Sequence, residues 1–187
     1  SQTGLTPVPR PPLPPAEPSD VRPTSVGSRT ITVAWQPPPI AEPPVTGYQV
    51  SVAGGSTVST AGTSARITGL SPRTSYTVTV KAINTKGSSL GVRLLAVTDK
   101  DISEPRNLTS LPVSSKDSVR LAWLPPLDNG GSPIREYRIS WTAGGEVKTQ
   151  VTSDTPATIA GLKTGTRYTL EVRAINTDGD VSPAAAI

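Results

Sequence analysis

Three aspartates, one asparagine and one tryptophan are the side chains whose type and spacing could do chemistry. Asp178 and Asp180 flank one glycine in Thr177-Asp-Gly-Asp180, and Asp128 opens Asp128-Asn-Gly-Gly131. Together they could hold a calcium ion, which takes its oxygens from carboxylates and backbone. A solvated turn rich in Asp and Gly needs no ligand to explain it, so no metal site is expected. Paired carboxylates could also hydrolyse a glycosidic bond if they converged ~5–10 Å apart in a cleft. Acids on separate loops offer no obvious cleft. Asn107-Leu-Thr109 is an N-glycosylation sequon. With four Asn and abundant Ser and Thr, one such match is expected by chance. Trp141 could stack on a sugar ring, but an aromatic at that place more often packs at a rim.

The missing residue types exclude more than the present ones suggest. The chain has no His and no Cys. A Ser-His-Asp triad and a thiolate nucleophile are therefore absent. The usual zinc, copper, haem and iron–sulfur ligand sets are absent too. No disulfide can form, so the core alone must hold the fold. No cofactor is expected, and the chain reads as non-enzymatic. No apolar run approaches the ~18–20 residues of a membrane span, so no membrane insertion is expected.

Charge is uneven along the chain. The net charge is +4 over 187 residues. Residues 15–100 carry eight basic and four acidic side chains, and residues 101–187 carry nine and ten. The first half could favour an anionic polysaccharide. Its cations are scattered and no aromatic platform interleaves with them, so nucleic acid is not expected as a partner.

The elements that must position these residues come in two copies. Thr30-Ile-Thr-Val-Ala-Trp-Gln-Pro-Pro38 matches Ser118-Val-Arg-Leu-Ala-Trp-Leu-Pro-Pro126. Gly47-Tyr-Gln-Val-Ser-Val52 matches Glu136-Tyr-Arg-Ile-Ser-Trp141. Gly69-Leu-Ser-Pro-Arg-Thr-Ser-Tyr76 and the run to Asn84 match Gly161-Leu-Lys-Thr-Gly-Thr-Arg-Tyr168 and the run to Asn176. The offset grows from 88 at the tryptophans to 92 at the Gly-Leu turns. Small insertions between matched blocks are loop variation on one scaffold.

Inside each copy the apolar period is two. Ile31, Val33 and Trp35 alternate with polar or small neighbours, as do Tyr76, Val78, Val80 and Ala82. The second copy repeats this from Val119 to Trp123 and from Tyr168 to Ala174. Such alternation marks strands with one buried face. Pro and Gly clusters break the strands every ~8–12 residues, as in an all-β sandwich. The first copy predicts strands near 19–26, 29–36, 45–53, 57–61, 64–68, 74–84 and 91–98. The predicted core is Trp35, Tyr48, Leu70 and Tyr76, with Trp123, Tyr137, Leu162 and Tyr168 in the second copy. Tyr76 and Tyr168 fit a tyrosine corner, ring inward and hydroxyl bonded to nearby backbone.

Each copy resembles a fibronectin type III domain. The residues that carry the likeness are the Trp followed by Pro-Pro, the Tyr-x-Val/Ile strand, the Gly-Leu turn and Tyr-x-Val/Leu-x-Val-x-Ala-x-Asn. The resemblance implies two seven-stranded immunoglobulin-like β-sandwiches in tandem. It predicts a Pro-rich linker over 1–16, a first domain over 17–99 and a second over 100–187 whose last strand is truncated. The segment Arg10-Pro-Pro-Leu-Pro-Pro15 lacks the usual spacing of an SH3 ligand and reads as a stiff tether. The short junction predicts a semi-rigid pair.

The family implies a non-catalytic module used in adhesion, receptor ectodomains or spacing. The expected setting is extracellular or the cell surface, in a larger protein, with a protein partner. The alternative is a passive spacer in a secreted multidomain enzyme or a phage or virion structural protein. The family's topology also brings Asp128, Asp178 and Asp180 toward Arg29 and Arg73. Such exposed pairs would bias the inter-domain angle by only ~0–1 kcal/mol each. Scattering at low and high salt reads that bias, and an Asp178→Lys variant with unchanged shape at both salts sinks it.

Overall fold

The computed structural model describes residues 11–187. Among them every regular element is a β-strand and every strand pairing is antiparallel. The chain divides into two compact units, the second of which comprises Gly27–Arg29, Ser71–Thr74 and Thr98–Ile187.

The first unit contains β1 (Ser19–Val26), β2 (Ile31–Gln36), β3 (Gly47–Val52), β4 (Thr57–Thr60), β5 (Ser64–Ile67), β6 (Ser75–Asn84), β7 (Gly87–Ser88) and β8 (Val92–Val97). One sheet runs β1-β2-β5. The other runs β4-β3-β6, and both β7 and β8 pair with β6. The period-two pattern places Ile31, Val33 and Trp35 of β2 against Tyr48, Val50 and Val52 of β3 and Val78, Val80 and Ala82 of β6, all buried. Burying each aliphatic side chain of this size stabilises the fold by about 1.5–3 kcal/mol. The Trp35 and Tyr48 rings pack with centroids 5.2 Å apart.

The second unit contains β9 (Arg106–Leu111), β10 (Val119–Leu124), β11 (Ile134–Ala143), β12 (Glu146–Thr152), β13 (Ala157–Ile159), β14 (Leu170–Asn176) and β15 (Ala185–Ala186). Its sheets run β13-β10-β9 and β12-β11-β14-β15. Trp123 and Tyr137 pack with centroids again 5.2 Å apart. The β11–β12 hairpin turns on Gly144 and Gly145, with φ of +61° and +84°. Two successive positive φ values define a two-residue type I′ turn, which glycine adopts without strain. The pairing from Ala143↔Glu146 to Tyr137↔Thr152 is unbroken.

Two expected strands differ in detail. The 91–98 strand is preceded by a separate short ladder, β7, and Ser89 sits between it and β8. Ser89 Oγ accepts the Ala82 N–H at 3.0 Å, and the Ser89 N–H donates to the Ala82 carbonyl at 2.8 Å. The hydroxyl thus fills a rung where the backbone of the strand turns away. Ser182 does the same for Ala174 in the second unit, with distances of 2.8 and 2.9 Å. The alternation beginning at Tyr168 becomes a strand only from Leu170. Ile187 exchanges both backbone hydrogen bonds with Leu170, and the pairing reaches no further toward Tyr168.

The proline-rich approach is held by the first unit from Leu13 onward. The Asn84 side-chain amide donates to the Leu13 carbonyl at 3.0 Å, and Pro15 and Pro18 are buried. Arg10 lies outside the described residues.

Candidate functional site

The loops at one end of each unit are built around a buried asparagine. Asn84 and Asn176 continue the inward parity of their strands, where an apolar residue would otherwise sit. A buried amide must find partners for its two donors and its acceptor. Asn176 Nδ2 donates to the Asn129 carbonyl at 3.0 Å and to Asp180 Oδ2 at 3.1 Å. Its Oδ1 accepts the backbone N–H groups of Asp178 and Asp180 at 3.1 and 2.9 Å. One side chain therefore fastens the β10–β11 loop to the β14–β15 turn. Asn84 repeats the device with the Leu13 and Pro43 carbonyls and the Lys86 N–H.

This cage accounts for the acidic residues that invited a calcium reading. Asp180 receives the Asn176 amide, and Asp178 Oδ2 accepts the Ser132 hydroxyl at 2.6 Å. Asp128 faces Lys100 Nζ at 3.3 Å, and its backbone N–H and carbonyl are both bonded to Ser103. Among the described residues no group of three or more Asp or Glu is arranged to hold a metal ion. Arg29 lies just before β2 with its side chain exposed. Arg73 precedes β6 at φ +51°, its N–H donating to the Asp99 carbonyl at 3.0 Å.

The other singled-out residues have structural surroundings. Trp141 is half-buried and packs on the edge of the second core. Tyr168 completes a corner: its hydroxyl accepts the Lys163 N–H at 3.0 Å. Tyr76 packs partly buried against the first core, while Leu70 and Leu162 are buried. Asn107 is exposed at φ +53° on β9, where the pairing with β10 loses register. Asp20 takes φ +51° at the matching break between β1 and β2. Asn and Asp tolerate the left-handed region better than other side chains with a Cβ. A β-bulge in the first strand is thus enough to explain an Asx residue at both places.

Burial pushes the Tyr48 and Tyr137 hydroxyls above the usual phenol range; the neighbouring Trp35 and Trp123 indoles offset part of this. Neither indole N–H makes a hydrogen bond of good geometry. The Ser115 and Ser118 hydroxyls hold the Asp117 carboxyl below the usual carboxylate range.

The exposed sheet faces differ between the units. In the first unit the outward residues of the larger sheet form rows across the strands: Gln49 beside Lys81, Ser51 beside Thr79 and Arg93, and Thr77 beside Leu95. No Asp or Glu occurs in β3, β4, β6, β7 or β8. Leu95 and Val97 are 69% and 55% exposed along β8. In the second unit the matching face mixes signs. Arg173 pairs with Glu171 at 3.2 Å and Arg135 with Glu136 at 2.9 Å.

Both copies match one family model, the fibronectin type III domain, over residues 16–93 and 103–187. The chain belongs to the fibronectin type III family. Its two type III domains resemble segments of several larger proteins. Chitinase A1 of Niallia circulans is 34% identical over 91% of this chain and 25% of its own length. The netrin receptor DCC of Mus musculus is 29% identical over 86% and 12%. Endoglucanase B of Cellulomonas fimi is 32% identical over 87% and 17%. The chain thus spans a quarter or less of these relatives. Among solved structures, a two-domain type III segment from chicken tenascin is matched at TM-score 0.45 and 18% identity, over 91% of this chain and 97% of that one.

Proposed function

We propose that these two type III domains form a non-catalytic contact segment of a larger extracellular or surface protein, acting in adhesion through exposed sheet faces. The observation that carries this reading is the contrast between the loops and the strands. Asn84, Asn176, Asp178 and Asp180 at the loop ends are spent on internal hydrogen bonds, whereas β8 leaves Leu95 and Val97 in water. Neighbouring exposed apolar side chains on one strand favour an interaction surface. A receptor relative, DCC, is consistent with it.

A second reading, a passive spacer, is supported by the chitinase and endoglucanase relatives, where the matched part is a minor share of a named enzyme. Replacing the pair in its parent protein with two unrelated sandwiches of equal length separates the readings. Adhesion predicts loss of surface association, and competition by an excess of the isolated chain. A spacer predicts that the replacement is silent.

A further inference from the structure

We infer that the outer face of the first domain's larger sheet, centred on Lys81 and Arg93, docks an acidic polysaccharide. This rests on the contact reading above and names the chemical class of its partner.

Arg93 lies directly across from Thr79, and Lys81 is two residues farther along the same face of β6. Diagonal neighbours on a sheet face are about 7–8 Å apart. Both cations thus stand over one small area. Neither has a carboxylate within ion-pair distance among the described residues, and the sheet's own strands contain no acid at all. The Lys81 stem is laid flat over Gly91, which is tight enough that an added Cβ would stand 3.3 Å from Lys81 Cε. The ammonium group is therefore carried on a stem supported by the sheet. The excess positive charge of the first half of the chain finds here a surface where nothing neutralises it.

The polar remainder of the face selects among anions. Gln49, Ser51, Thr77 and Thr79 present amide and hydroxyl groups that both donate and accept, which suits a polyhydroxylated chain. No aromatic ring stands on this face to stack a base, which disfavours single-stranded nucleic acid. The matching face of the second domain already pairs Arg173 with Glu171, so the site belongs to the first domain.

The test uses the whole chain on immobilised polygalacturonate at 20 mM NaCl. Wild type should be retained and released by salt, with a log–log slope no steeper than about −2 for two cation contacts. Lys81→Gln with Arg93→Gln should weaken retention at least tenfold with the melting temperature unchanged. Lys116→Gln with Lys163→Gln, an equal charge change on exposed loops of the second domain, should leave it intact. Equal loss in both double variants would assign retention to net charge and overturn the inference. Absence of wild-type retention, equal retention on neutral dextran, or equally tight binding of an oligonucleotide through the same two residues overturns it as well. If domain replacement abolishes association in the parent protein while the Lys81/Arg93 variant preserves it, the contact reading stands and this inference fails.

Discussion

At the scale of single residues, the most consequential side chain is an asparagine on a buried face. Asn176 holds four polar groups from two loops. Asn176→Ala leaves those groups to find water or go unpaired, at about 1–3 kcal/mol for a buried orphan. Urea unfolding should show that loss, and Asn176→Asp should not restore it, because a carboxylate cannot donate to the Asn129 carbonyl. Tyr168→Phe removes one bond, to the Lys163 N–H, and should cost about 1 kcal/mol by the same measurement. Tyr48 and Tyr137 make stability fall at alkaline pH. Their folded pKa values are raised by burial, so the folded state keeps its phenolic protons where the unfolded chain has lost them. The stability they contribute is full below about pH 10 and is lost as pH rises through the folded values. Chemical denaturation between pH 9 and 11.5 should show that decline, and Tyr48→Phe should reduce it. The aromatic positions were legible from period-two spacing and the repeat. The role of the asparagines was not: their parity marked them as inward, but the loops they fasten are distant in sequence.

At the scale of elements, the ladder between β6 and β8 depends on close approach. A Cβ on Gly91 would stand 2.3 Å from Thr79 Cγ2. Gly91→Ala should therefore destabilise the first domain, and Thr79→Ser, which deletes that methyl, should recover part of the loss. A double-mutant cycle reads the coupling, and additive losses would show that the contact is relieved elsewhere. Strand positions followed from alternation because a strand's face pattern is local. The two Asx bulges escaped it, since a residue at positive φ in a strand shows itself only when the partner strand is in place. Ser89 and Ser182 escaped for the same reason, each completing a rung left by a neighbour.

At the scale of the whole molecule, the absence of histidine becomes a property of the fold's response to pH. Histidine is the side chain whose ordinary charge change falls between about pH 5 and 8, and the chain has none. Thermal melts across that window should superimpose within a degree or two; a transition near neutrality would contradict it. The same composition removes the imidazole and thiolate groups that serve most often as metal ligands and as partners in nucleophilic catalysis. Sequence by itself determined the duplication, the sandwich class, the two Trp–Tyr cores and the unequal charge of the halves. These depend on periodicity and count, which neighbours along the chain carry. Only the tertiary structure decided that the loop aspartates serve internal hydrogen bonds and that Lys81 and Arg93 share a sheet face without acids. Sheet order places residues tens of positions apart side by side, and no local pattern records which strand lies next to which.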